Sequence, residues 1–171
     1  MPRPNHILPD RLKPGLKLVF CGTAAGRQSA LQQAYYAHGQ NRFWTTLHRV
    51  GLTPFLFAPK DYEKLWELGI GLTDIAKHAY GMDHQLPRDA LGPDAVAALK
   101  ARIRKAKPRI LAFTSLNGGR KVMGTHAVAG EQPEGLGDTR VFILPSPSPL
   151  AANHWDIAPW RDLAKAVAAL K

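Results

Sequence analysis

VFCGTAAGRQSA, Val19 to Ala30, begins as an apolar run and ends in a turn bracketed by Gly22 and Gly26. A short apolar run that stops at glycines reads as a buried strand delivering its carboxyl end to a turn. In an open α/β sheet, ligands bind outside those carboxyl ends, so this stretch marks a candidate site. The turn itself holds Thr23, Ala24 and Ala25, with no acid, amide or base. The chemistry must therefore be brought to it by other parts of the chain.

On either side of the first strand, Leu16 to Cys21, the pattern alternates. Residues 1–15, rich in Pro, Arg and Lys, read as an irregular arm ahead of a single domain over 16–171, with nothing catalytic expected before Cys21. Phe43, Trp44, Leu47 and Val50 recur at helical spacing over 41–50, and Pro59 followed by 61–68 reads as a second short helix. GIGLTDIA, residues 69–76, is a short apolar segment broken by glycines. A helix over 93–106 follows, with Val96, Leu99 and Ile103 facing inward and Lys100, Arg102, Arg104 and Lys105 facing outward. Strands at 109–114 and 141–144, a glycine turn with a short helix between them, and a closing helix over 159–170 complete the chain. Alternating strands and helices predict a mostly parallel sheet flanked by helices. Three turns then lie at strand carboxyl ends: 22–26, 114–119 and 145–153.

The length of 171 residues suits one compact domain. With 23 Lys and Arg against 13 Asp and Glu, the formal charge is +10, which suits a polyanionic partner, nucleic acid foremost. The one cysteine, Cys21, ends an apolar run, so there is no disulfide framework and no thiolate metal site. The seven histidines lack paired ligand spacing, and neither metal nor cofactor is expected. There is no apolar leader and no membrane-length run; a cytoplasmic monomer without membrane association is the expectation.

PGLKLVFCG followed by the G-x-x-x-G turn, then YAHGQNRFW, then LPSPSPL near the end, together resemble the uracil-DNA glycosylase superfamily. The mismatch-specific uracil- and thymine-DNA glycosylase branch, with its G-I-N-P-G and F-A-H-P-x-N-R-F-W strings, is the nearest; QAYYAH and the L-P-S-x-S-P loop are similar to the hypoxanthine branch. The resemblance implies a small three-layer α/β domain with a short, mostly parallel sheet. It also implies a base-excision repair glycosylase acting on deaminated bases in DNA, uracil first. A hypoxanthine glycosylase and a lesion-binding protein without turnover remain the alternatives; a nucleotide-binding module lacks its phosphate-loop pattern here.

By the same resemblance, Gly22, Thr23, Ala24 and Gly26 form the floor beneath a flipped base, Tyr36 stacks on that base, and Asn41 belongs to the pocket loop. Asp74 reads the base edge or assists water. Ser146, a catalytic candidate beside Asp74, and Ser148 approach the damaged nucleotide, Ser148 and Arg27 meet DNA, and Leu150 enters the hole left by extrusion. The family's polar third residue of the first motif is Ala24 here, and its Asn or His of the later motif is Ser146. Asp74 is therefore the first candidate for the missing polar group, with Asp83 second. Each residue also has a plainer reading. Asp74 could cap the segment after it or pair with Lys77, Asn41 could be a helix cap, Tyr36 a core aromatic, and the two serines could satisfy their own loop. Leu150 could anchor that loop, and the ARIRKAKPR run could be a solvated helix face.

Overall fold

The computed structural model describes residues 6–171; residues 1–5 of the expected arm lie outside the described residues. Five strands form one sheet in the order β2-β1-β3-β5-β4. β1 (Leu18–Gly22), β2 (Ile70–Asp74), β3 (Ile110–Phe113) and β5 (Arg140–Ile143) run parallel, and the two-residue β4 (Gly130–Glu131) is antiparallel to β5. β1 pairs with β2 on one side and β3 on the other, with Gly22 opposite Asp74 and Cys21 opposite Phe113. The chain reverses its direction of travel across the sheet at β1, which makes the carboxyl end of β1 the topological switch point.

Strand side chains alternate between faces, and each face has its own core. Leu18 and Phe20 of β1, Ile110 and Ala112 of β3 and Phe142 of β5 face α2 (Phe43–Arg49) and α5 (Ala158–Ala168), where Phe43, Trp44, Leu47, Trp160 and Leu163 are buried. Val19, Cys21, Leu111, Phe113, Val141 and Ile143 face α3 (Pro93–Ala106) and α4 (Leu116–Met123) through Leu99, Ile103 and Val122. The result is a three-layer α/β domain. A fully buried residue of this size stabilises by roughly 1.5–3 kcal/mol, so strands buried on both faces need no polar alternation, and none is found in β1.

The helix over 93–106 begins and ends where the sequence reading placed it, with Pro93 in its first turn and Lys107 closing it in left-handed conformation. Residues 59–68 form a 3₁₀ helix. One part of the reading is corrected: Arg102 does not face outward. It turns beneath the sheet, donating from Nη2 to the carbonyl oxygen of Asp74 (2.7 Å), while Lys100, Arg104 and Lys105 remain on the outer side, half-buried to exposed. Charge type alone cannot reveal that a buried acceptor and a carboxylate await one arginine of a basic run. The six-residue α1 (Arg27–Gln32) and β4 were not anticipated. α1 carries its apolar residues without a helical stripe, and a two-residue strand has no period to read.

Before β1 the chain lies on the outer edge of β2. Arg11 and Leu72 exchange backbone hydrogen bonds (2.9 and 3.1 Å), covering a strand edge that would otherwise be unpaired. Gly71 makes this approach feasible, since any side chain there would strike the Arg11 carbonyl oxygen.

Candidate active site

The ends of three adjacent strands converge on Gly22. A β-carbon added there would stand 2.6 Å from Asp74 Oδ1, 3.4 Å from the Tyr36 hydroxyl and 3.7 Å from Thr114 Oγ1. Glycine is thus required for the approach of Asp74, not for any unusual backbone angle. The β1–β2 ladder continues one step past the strands, with Ile75 N–H donating to the Gly22 carbonyl (2.9 Å), and this fixes the height of Asp74 relative to the floor.

Asp74 is 4% exposed. Burial raises its pKa from 3.8 to about 6; the nearby cations Lys77 and Arg102 oppose that rise, while Asp10 adds to it. Neither plainer reading of this residue survives in its proposed form. Lys77 Nζ pairs with Asp10 Oδ1 (2.8 Å), and the segment after β2 is not a helix to be capped. A buried carboxyl with its pKa near neutrality, beside a glycine floor, can exchange a proton or hold water under ordinary conditions.

Tyr36 reaches the same point from the segment after α1. Its φ of +52° is left-handed, an uncommon conformation for a bulky side chain, and its neighbours hold it there. Ala37 N–H donates to Ser29 Oγ (3.0 Å), and Trp44 Nε1 donates to the Tyr35 carbonyl (3.1 Å). The Tyr36 ring lies nearly parallel to Phe43, with centroids 3.8 Å apart and planes at 12°. Its hydroxyl is 2.9 Å from Thr114 Oγ1. Burial, and then the charge of Asp74, push the Tyr36 pKa well above its ordinary value, so the phenol is neutral and able to donate.

The turn after β1 is tied to two others. Thr23 Oγ1 donates to Asp83 Oδ1 (2.6 Å), and Asn117 Nδ2 donates to Asp83 Oδ2 (2.8 Å). Asp83, the second acid candidate, has both oxygens engaged in holding the rim. Among the described residues the amides of Thr23 and Ala24 donate to no backbone carbonyl, which leaves them available as donors. Ala24 is half-buried, and Gly26 and Arg27 are exposed.

The proline-rich loop after β5 sits two strands away from β1. Ser148 N–H donates to Ser146 Oγ (3.2 Å) and Leu150 N–H donates to Ser148 Oγ (3.3 Å), so both serines satisfy their own loop. Leu150 is 70% exposed, so it is not a buried anchor for the loop. Arg42 N–H donates to the Pro147 carbonyl (2.9 Å), and Trp160 Nε1 to that of Pro145 (3.1 Å). The first of these bonds joins the loop to the NRFW segment. Within that segment Asn41 Oδ1 accepts from the N–H of Phe43 (2.9 Å), the first residue of α2; the cap position itself is Arg42, which makes no side-chain cap bond, so Asn41 ties the turn ahead of the helix and is not its cap.

The structure therefore brings Gly22, Tyr36 and Asp74 into one cluster, places Thr23 and Ala24 beside it, and holds Ser146, Ser148 and Leu150 in a separate loop linked through Arg42. Thr114 was missed by sequence reasoning. Only its position at the end of a strand pointed to it. Missed too were Asp10 and Arg102, whose partners are distant in sequence. Shallow hollows of about 420 and 520 Å³ lie at the other end of the strands, around Lys13, Trp66 and Glu67, away from this cluster. Among the described residues, no group of three or more His, Cys, Asp or Glu side chains is placed to hold a metal ion, and no helix is long and apolar enough to cross a membrane.

A small, mostly parallel sheet in this order, with a glycine turn at its switch point, has the build of a DNA glycosylase, a hydrolase that cuts the bond between base and deoxyribose in base-excision repair. The chain belongs to the uracil DNA glycosylase superfamily, whose family model matches residues 9–171. Its fold is similar to that in the solution NMR structure of a candidate uracil DNA glycosylase from Methanosarcina acetivorans, with a TM-score of 0.61 and 20% identity over 94% of this chain and 96% of that one. Its substrate is accordingly DNA carrying a damaged base.

Proposed function

We propose that this glycosylase removes deaminated bases, uracil foremost, and that Asp74 supplies the side-chain chemistry missing at Ala24. The observation carrying this reading is the convergence of a buried carboxyl, a neutral phenol and a side-chain-free floor at Gly22. An enzyme that acts on a base must first take it out of the stack and read it by stacking and edge hydrogen bonds. Tyr36, backed by Phe43, would stack on the extruded base. The amides of Thr23 and Ala24 would donate to a base carbonyl oxygen on which negative charge grows.

In the reaction the bond from C1′ to the base nitrogen breaks, and its electron pair leaves with the base. A water oxygen forms the new bond to C1′, and the water proton passes to the ionised Asp74 carboxylate. The base anion is then protonated from solvent. Ser148, Arg27 and Leu150 would meet the DNA around the extruded nucleotide, with Leu150 free to enter the duplex. Ser146 would approach the same nucleotide, and Asn41 would keep the pocket loop in place through its hydrogen bond from Phe43 N–H at the start of α2.

The test is incubation of the protein, in chelator, with duplexes bearing uracil, hypoxanthine or mismatched thymine, followed by alkaline cleavage of abasic sites. Breakage at uracil first supports the reading. Breakage at hypoxanthine alone shifts the substrate, and tight binding with no abasic sites at high enzyme concentration refutes excision.

A further inference from the structure

Two cations stand within electrostatic reach of the Asp74 carboxyl, yet their side chains are committed elsewhere. Lys77, whose side chain is 3% exposed, places Nζ 2.8 Å from Asp10 Oδ1 and donates to the Tyr35 hydroxyl (3.2 Å), which in turn donates to the Pro9 carbonyl (2.8 Å). Arg102 places Nε 3.1 Å from Asp10 Oδ2 and gives Nη2 to the backbone oxygen of Asp74, not to its carboxyl. Thr73 Oγ1 donates to Asp10 Oδ1 (2.7 Å). All of this depends on the chain ahead of β1 being laid along β2, because the pairing of Arg11 with Leu72 sets Asp10 beside Thr73, one residue from Asp74.

We propose that Asp10 is a positioning residue for Asp74: it holds Lys77 and Arg102 on its own carboxylate, so that neither side chain turns onto the Asp74 carboxyl, which stays open toward the Gly22 floor. The proposal rests on the reading of Asp74 as the proton-accepting group of the site. The physical reason is competition. A buried ammonium deprived of its partner is strongly disfavoured, and for Lys77 the next carboxylate is Asp74, three residues earlier. Pairing there would pin Asp74 as a carboxylate and weaken it as a base. The charges act in the same sense as the geometry, since Asp10 raises the proton affinity of Asp74 while Lys77 and Arg102 lower it.

The other titratable groups facing this cluster are Cys21 of β1, Tyr35 and Tyr36. Burial raises the pKa of each well above its ordinary value, so they stay neutral. His6 and His78 stack edge to face nearby (5.2 Å), and burial, then Lys77, lower the pKa of His6.

The experiment follows the Asp74 carboxyl directly by carbon NMR, its signal identified by its loss in Asp74→Asn, and in parallel measures single-turnover excision against pH. Both are recorded for wild type, Asp10→Asn, Lys77→Met and the double variant. Removal of Asp10 is expected to move the NMR midpoint and the acid limb of excision to lower pH, by roughly one unit, with a lower plateau. Lys77→Met moves them to higher pH, and the double variant returns toward wild type. A melting temperature that falls in Asp10→Asn while the midpoint stays in place would reduce Asp10 to a structural role and overturn the proposal. Should Asp10→Asn not fold, Lys77→Met decides, since an unchanged or lower midpoint there also overturns it. If the NMR midpoints move as expected while excision does not follow them, Asp10 positions Asp74 as proposed, and it is the catalytic reading of Asp74 that fails.

Discussion

Asp74→Asn should make the protein more stable at neutral pH while removing most of its activity. The pKa of Asp74 is about 6 in the folded state against 3.8 for the free side chain. At 1.36 kcal/mol per unit, that rise means ionised Asp74 costs about 3 kcal/mol of stability at pH 7.5 relative to its protonated form. The sign follows from proton linkage. Between 3.8 and 6 the folded state binds more protons than the unfolded chain, so the contribution of this carboxyl to stability is fully present below 3.8 and is lost as the pH rises through 6. Asparagine has the shape of the protonated acid and never ionises. The variant should therefore gain up to about 3 kcal/mol at pH 7.5, or roughly 6–12 °C in melting temperature for a chain of this size, and the gain should vanish near pH 3.8. Thermal unfolding of both proteins across pH 3.5–8 measures it, with the other carboxylates cancelling in the difference. Single-turnover excision should fall by about 10²–10⁴, and the acid limb near pH 6 should disappear from what remains. A melting temperature below wild type at pH 7.5, or a difference independent of pH, would refute the assignment of a strained, buried carboxyl kept for chemistry.

Two further substitutions probe the same cluster. Tyr36→Phe keeps the parallel contact with Phe43 but removes the hydroxyl beside Thr114 Oγ1; excision should fall only modestly, whereas Tyr36→Ala should lose base stacking worth about 1–3 kcal/mol, read as weaker binding of DNA containing the damaged base by the folded variants. Gly22→Ala places a methyl group 2.6 Å from Asp74 Oδ1, so the carboxyl must move. Excision should drop by more than about tenfold while circular dichroism and DNA affinity stay close to wild type, and full activity would mean that Asp74 does not work against the Gly22 floor.

Local pattern and tertiary contact divided the determination of this protein between them. The strands at Leu18–Gly22, Ile110–Phe113 and Arg140–Ile143 and the helix at Pro93–Ala106 were legible because burial on both faces leaves an apolar run and burial on one face leaves a helical stripe. The glycine turn at the end of β1, Tyr36 and Asp74 were legible as candidates because short motifs keep their order along the chain. What these residues do together was not legible. Tyr36 meets Thr114 across 78 positions, Thr23 meets Asp83 across 60, and Thr73 meets Asp10 across 63. A sequence written as charges and periods assigns Arg102 to solvent and offers Lys77 as one partner for its near neighbour Asp74. The folded chain gives both to Asp10, because pairing the chain ahead of β1 with β2 brings a second carboxyl group into a space where an unpaired cation would be too costly to bury. Sequence alone thus determined the long, strongly patterned elements and marked the turn after β1 as one of three candidate sites. Only the tertiary structure decided that the carboxyl at that opening is buried, near neutral in its proton affinity and free of its cations, since desolvation and ion pairing depend on the groups the fold draws together.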